Sequence, residues 1–203
     1  MVALSALMMS NLAIAQADQR TQDQAKAFIQ DMLDRAEVLL VGQQGSNETS
    51  ESLVSKLEAF LRETFDFNLI SRLVIGRAWR ELAPEQQVRY QEAFGRLIVH
   101  RYLRRVTELR DISATITDVV PLGRRDVSVA TLVQRDGQPD TKVDWRVRVG
   151  EQGPHIIDVT VEGISMVITQ RDEFSQLIKK RTLDGFLTYL EDQSSAVGSS
   201  GTL

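Results

Sequence analysis

Residues 142–163, KVDWRVRVGEQGPHIIDVTVEG, carry the pattern that decides the fold. Val143, Trp145, Val147 and Val149 alternate with Lys142, Asp144, Arg146 and Arg148. An apolar/polar period of two predicts a strand with one face buried and one face wet. Gly150 to Pro154 reads as a turn, and the alternation then resumes. Ile157, Val159 and Val161 fall on one side; Asp158, Thr160 and Glu162 fall on the other. Two consecutive strands joined by a short turn predict antiparallel pairing with a single apolar face.

The same rhythm extends upstream. Val127, Val129, Thr131 and Val133 alternate with Ser128, Ala130, Leu132 and Gln134 before the turn signal Asp136-Gly137. ISATITDVV at 112–120 adds a further strand, which makes about four in a meander. Downstream, Gly163 lets the chain turn off the sheet. ISMVIT at 164–169 reads as an extended or kinked segment. A helix is expected from about Asp172, burying Phe174, Leu177 and Ile178, and another burying Leu183, Phe186, Leu187 and Leu190.

Before the meander the period changes to that of helices. Ala25, Phe28, Ile29, Met32, Leu33, Ala36 and Leu40 form one stripe between Thr21 and Val41. GQQGSNETS is a linker whose Thr49 or Ser50 can cap a second helix burying Leu53, Leu57, Phe60 and Leu61. Asp66 is placed to cap a short helix, FNLISRLVI, that stops at Gly76. Pro84 opens the longest helix, with Tyr90, Phe94, Leu97, Ile98, Tyr102, Val106 and Leu109 on one stripe. Helices, meander, helices is the order of an α+β domain with helices packed on one face of a curved sheet.

At 203 residues the chain suffices for one domain with a sizeable core. It has no cysteine, which removes disulfides, thiolate nucleophiles and Cys-based metal sites. Residues 1–17, MVALSALMMSNLAIAQA, carry no charge and end in Ala15-Gln16-Ala17, the pattern of a secretory leader cleaved after Ala17. The mature domain is then 18–192, exported and soluble, and 193–203 a polar disordered tail.

No constellation for chemistry stands out. His100 and His155 have no second ligand at metal spacing. Ser165 lacks a nucleophile elbow, and no phosphate-binding glycine motif is present. Asp158 and Glu162 share a strand face; a wet face or a turn cap explains them, and acid/base work would need a pocket. The arginines between Arg89 and Arg110 suit either a solvated helix face or an anionic partner. Nucleic acid is disfavoured by the net charge of −4 and by export. The apolar residues suit a solid core and a ligand slot equally well.

Three runs together carry a resemblance. They are Phe67-Asn68-Leu69-Ile70-Ser71-Arg72 with Val74-Ile75-Gly76-Arg77-Ala78-Trp79-Arg80, Leu82-Ala83-Pro84-Glu85-Gln86-Gln87, and Ile157-Asp158-Val159-Thr160-Val161-Glu162-Gly163-Ile164-Ser165. In this order and spacing the chain resembles the MlaC, or toluene-tolerance, family from about residue 20 to 192. That family supplies the periplasmic phospholipid shuttle of the ABC transport system that maintains outer-membrane lipid asymmetry. The resemblance implies an NTF2/cystatin-like α+β fold with a deep apolar pocket for acyl chains. It implies no catalytic residues, cofactor or metal. It implies as partners a phospholipid ligand, an inner-membrane ABC permease complex and an outer-membrane lipoprotein–porin complex.

On that reading the pocket is lined by Val129, Val143, Trp145, Val147, Ile157, Val159 and Val161 from the sheet. Phe67, Ile70, Leu73, Tyr90, Phe94, Leu97 and Ile98 complete it from the helices. Arg101, Arg104 and Arg105 are candidates for head-group or partner contact. Three alternatives remain: a carrier of hopanoid-type lipid, a solid-cored NTF2-like interaction module, and an isomerase using Asp144 or Asp158.

Overall fold

The computed structural model describes residues 2–41, 50–107 and 112–199, with side chains placed at 16, 18–39, 52–102 and 112–195. The elements are α1 (Val2–Val41), α2 (Ser50–Thr64), α3 (Phe67–Ile75), a 3-10 turn (Gly76–Glu81), α4 (Pro84–Thr107), β1 (Ile112–Pro121), β2 (Asp126–Arg135), β3 (Thr141–Gly150), β4 (Gly153–Val161), β5 (Ile164–Ser165), α5 (Met166–Lys180) and α6 (Leu183–Ser199). The linker expected at 42–50 lies almost wholly outside the described residues.

The strands form one antiparallel sheet in chain order, β1-β2-β3-β4-β5. Its register converts the sequence alternation into cross-strand rows. Val119, Val129, Trp145 and Val159 stand side by side across four strands. Val127, Val147 and Ile156 form the next row, and Ile116, Thr131, Val143 and Val161 another. Thr131 lies within this apolar face without an orphaned hydroxyl. Its Oγ1 donates to the Val143 carbonyl at 3.1 Å and accepts from Trp145 Nε1 at 3.0 Å. The opposite face carries Ser128-Arg146-Asp158 and Ala130-Asp144-Thr160.

Two irregularities break strict alternation. The register of β1 shifts between Ile116 and Asp118, so Ile116 and Val119 both reach the apolar face. The register of β4 shifts opposite Arg146 and Val147, which pair with Asp158 and Ile156. Ile157 is the extra residue there. It is fully buried, but Ile156 takes the place on the apolar face that the alternation assigned to Ile157.

Helix α1 covers the apolar face. Ala25, Ile29 and Met32 lie against Val127, Val129, Val147 and Ile156, and Phe60 of α2 closes the cluster. The larger of these side chains, Ile29, Met32 and the valines, each contribute about 1.5–3 kcal/mol when fully buried. The remaining helices build a second core of Ile70, Val74, Tyr90, Phe94, Val167, Phe174, Phe186 and Leu190. Tyr90, Phe94, Phe174 and Phe186 close a ring of aromatic contacts, with centroids 5.0–6.3 Å apart.

Local signals place α3 where the sequence puts it. Asp66 accepts a hydrogen bond from Leu69 N at 2.8 Å, and Gly76 stops the helix at φ +62°. Asp66→Ala is expected to lower stability by about 1 kcal/mol and Tm by about 3 °C, read by thermal unfolding.

The strand-to-helix corner differs from the sequence expectation. Residues Glu162 and Gly163, at φ +48° and +79°, form a two-residue hairpin into β5, a fifth strand of only two residues. The helix then begins at Met166 rather than near Asp172. Val167, Ile168 and Thr169 look like strand residues, but capping overrides their propensity. Ser165 Oγ accepts from Ile168 N at 3.1 Å, and Asp158 Oδ1 accepts from Val167 N at 3.1 Å. At the far end α6 continues to Ser199, so residues 193–199 of the expected tail are helical. His155, expected in a turn, is on β4 opposite Arg148.

Candidate functional site

The interior is not one continuous core. The sheet–α1 cluster and the helical cluster are separate, and a third joins Leu53 and Leu57 of α2 to Val99 of α4. Three half-buried side chains border two clusters each. Phe65 touches the first two, Phe67 the helical and α2–α4 clusters, and Leu39 the sheet–α1 and α2–α4 clusters. Phe65 and Phe67 are 6.0 Å apart at their ring centroids. The backbone fixes this junction: Phe65 forms a parallel bridge to Ile156, and Asp66 N donates to the Ile156 carbonyl at 3.0 Å.

Eleven of the fourteen residues expected to line a pocket divide between the sheet–α1 and helical clusters. Val129 and Val147 are buried under α1, with Trp145 and Val159 half-buried beside them. Val143 is buried and Val161 half-buried opposite it; Ile157 is the buried bulge residue. Ile70, Tyr90, Phe94 and Leu97 belong to the helical core, with Phe67, Leu73 and Ile98 half-buried against it. The two groups therefore approach one another at the Leu39–Phe65–Phe67 junction.

Sequence reasoning missed Phe65 and Ile156. Phe65 has a signal: it precedes the cap Asp66, and Ile70 follows five residues later in the same cluster, the arrangement of a hydrophobic staple. Ile156 had none, because the bulge that turns it inward is not written in the alternation.

Half-buried apolar side chains in the middle of the covered sheet face are the notable feature of the site. Val129 and Val147 are fully buried, yet Trp145 and Val159, one row away or less, are not. Helix α1 thus leaves part of the inner face incompletely covered, and Phe65, which borders the same cluster, is half-buried too.

Among the described residues, several polar groups of the interior and the sheet make structural contacts. Buried Tyr90 donates its hydroxyl to the Ser71 carbonyl at 2.9 Å, and burial pushes its pKa well up, keeping it neutral. Ser165 donates to Asp158 at 2.6 Å as part of the α5 cap. Asp144 and Asp158 lie on the sheet face opposite Trp145 and Val159, and Asp144 pairs with Lys142 at 3.5 Å. Glu162 accepts from the Lys142 backbone N–H. No group of three His, Cys, Asp or Glu among the described residues could hold a metal.

Of the candidate arginines, Arg101 ties α4 to α5. It donates to Gln170 Oε1 at 2.9 Å and pairs with Glu173 at 3.3 Å. The side chains of Arg104 and Arg105 lie outside the described residues. Arg89 holds Glu191 of α6 through two bonds of 2.8 Å, and this lowers the carboxyl's pKa.

An antiparallel meander with helices packed over its apolar face, part of which is only half-buried, defines an α+β fold. The family model described as MlaC protein matches residues 30–192, and the chain belongs to that family. A phospholipid-binding protein from Ralstonia solanacearum, solved in complex with a phospholipid, shares the fold at a TM-score of 0.69 and 21% identity. The match covers 88% of this chain and 98% of that one. No described helix is long and apolar enough to cross a membrane.

Proposed function

We propose that this protein is a phospholipid carrier, not an enzyme, whose site is the apolar interior between α1, the sheet and α2–α4. The observation that carries this reading is the incompletely covered inner face around Trp145, Val159, Phe65 and Phe67. Membership of the MlaC family and the bound phospholipid in the Ralstonia relative support it. Acyl chains would lie along this strip, against the expected lining residues, with the head group toward solvent. The residues around the strip offer hydrocarbon contact and, in Thr131, a hydroxyl already satisfied.

The energetics suit a carrier without catalysis. About 30 methylenes of a diacyl lipid, at ~0.8 kcal/mol each, block its free passage through water by more than about 20 kcal/mol. A dry apolar interior matches the bilayer, so transfer into it is close to neutral. Direction must then come from partners that favour the loaded or the empty state. In this reading the partners are an outer-membrane lipoprotein–porin complex and an inner-membrane ABC permease complex, and the compartment is the periplasm, reached through the leader at 1–17. The chain would act as the auxiliary component of a transporter that keeps outer-membrane lipid asymmetry.

An empty apolar hollow is unfavourable by about 24 cal/mol per Å³. The protein is therefore expected to purify with lipid bound. Organic extraction and native mass spectrometry should find phospholipid in stoichiometric amount. Protein free of lipid after mild purification would overturn the carrier reading, and fused-ring lipid in the extract would replace phospholipid by a hopanoid-type cargo.

A further inference from the structure

The β1–β2 hairpin presents an arrangement that the carrier site does not use. Val120 and Leu122 are 44% and 50% exposed at its tip, and Arg124 and Arg125 follow at once, both exposed. Neither arginine makes an ion pair among the described residues. The tip is held in shape by its backbone. Leu122 N donates to the Asp126 carbonyl and Val149 N to the Arg125 carbonyl, each at 2.8 Å, while Gly123 takes φ +145°. The apolar side chains are thus fixed outward by the turn and have no inner cluster to join.

Charge sharpens the contrast. Asp126, the carboxylate nearest the tip in sequence, is already gripped by Arg146 and Arg148. Glu151 stands on the adjoining β3–β4 turn. At the opposite end of the strands, Asp136, Asp140 and Glu162 gather around the β2–β3 and β4–β5 turns together with Arg135 and Lys142, so charge there is mixed. A chain of net charge −4 therefore offers unpaired cations beside exposed aliphatic side chains at one end of its sheet.

We infer that this hairpin tip docks on an anionic lipid surface, with Leu122 and Val120 entering the headgroup layer and Arg124 and Arg125 meeting lipid phosphates. A specific protein interface takes about 800 Å² per partner, far more than a convex tip of this kind supplies. A fluid anionic surface demands no shape complement; it requires a few apolar side chains and nearby cations, which the tip has. The tip lies at the same end of the sheet as the Phe65–Ile156 junction but three strands from it, with Pro121, Val127, Val147 and Ile156 in the row between them.

The test is co-sedimentation of the full chain with vesicles of phosphatidylcholine alone or mixed with phosphatidylglycerol. Binding is expected on the mixed vesicles, weakening as salt rises. Leu122→Asp and the pair Arg124→Glu, Arg125→Glu should each weaken it about tenfold. These side chains are exposed, and unchanged circular dichroism should show that the fold is kept. Because the chain has no cysteine, Leu122→Cys and Asp136→Cys accept a single environment-sensitive dye. The dye at 122 should report a less polar setting on mixed vesicles, and the dye at 136 should not.

Equal binding to both vesicle types, unaltered binding by the variants, or no response at 122 overturns the inference. A loss seen only with native membranes, and not with pure lipid, assigns the tip to a protein partner and also overturns it. Lipid extraction reads the interior and sedimentation reads the tip, so either proposal can fail alone.

Discussion

Phe94→Ala is expected to destabilise the protein by about 4 kcal/mol, a large share of the roughly 5–15 kcal/mol that holds a domain folded. Phe94 is 1% exposed and packs against Tyr90 at 5.8 Å and edge-on against Phe174 at 6.2 Å. Its removal opens a void inside the aromatic ring and loosens α4 from α5. Thermal unfolding should show a fall in Tm of about 12 °C. Phe94→Asp buries a carboxylate in the same place, so it should lose lipid by losing the fold. Phe94→Leu, which keeps most of the volume, should lose less than about 1.5 kcal/mol and retain whatever lipid the wild type holds. A Phe94→Ala protein with unchanged Tm would show that the ring is not the keystone of the helical core.

The second large effect belongs to Asp126. Its side chain, 9% exposed, binds Arg146 Nη2 at 2.6 Å and Arg148 Nε at 2.7 Å across the β2–β3 register. Arg148 foremost, then Arg146, holds its pKa below the usual carboxylate value against the opposing effect of burial. Asp126→Asn leaves two guanidinium groups on adjacent alternate positions without their shared anion. Breaking a buried pair costs about 3–5 kcal/mol, but the two arginine side chains are 45% and 32% exposed, so about 2 kcal/mol is expected here.

The effect should depend on pH in a defined direction. A carboxyl with a lowered folded pKa stabilises the fold above its unfolded value of about 3.9, and this is lost as pH falls through the folded value. Urea unfolding of the wild type and Asp126→Asn should therefore differ at pH 7 and converge below about pH 4. A constant gap down to low pH would mean that packing, not charge, accounts for the difference.

The meander was legible because Val143 to Val149 alternate without a break and Asp136-Gly137 marks a turn. Helix α3 was legible to the residue, since Asp66 and Gly76 are local signals that act through backbone hydrogen bonds. The start of α5 was not. Val167-Ile168-Thr169 has the composition of a strand; the local cap Ser165 competes with that signal, and its companion acceptor, Asp158, lies nine residues away, where no local pattern announces it. For the candidate site the sequence offers a set of apolar residues and no arrangement of them. Val129 and Tyr90 carry the same periodic signal, yet they belong to different clusters. Which residues meet is settled by Phe65 at a chain connection and by a register shift at Ile157, and neither follows from periodicity.

That register shift matters beyond packing. Ile156 receives the Asp66 amide, and Asp158, two residues on, receives Val167 N and the Ser165 hydroxyl. Strand β4 thus carries two fasteners, one to the connection before α3 and one to the start of α5, set side by side like the knuckles of a door hinge. The ladders of β1 to β3 and the aromatic ring do not include these bonds, so amide exchange at Asp66 and Val167 would register an opening of the two fasteners separately from the melting of either half.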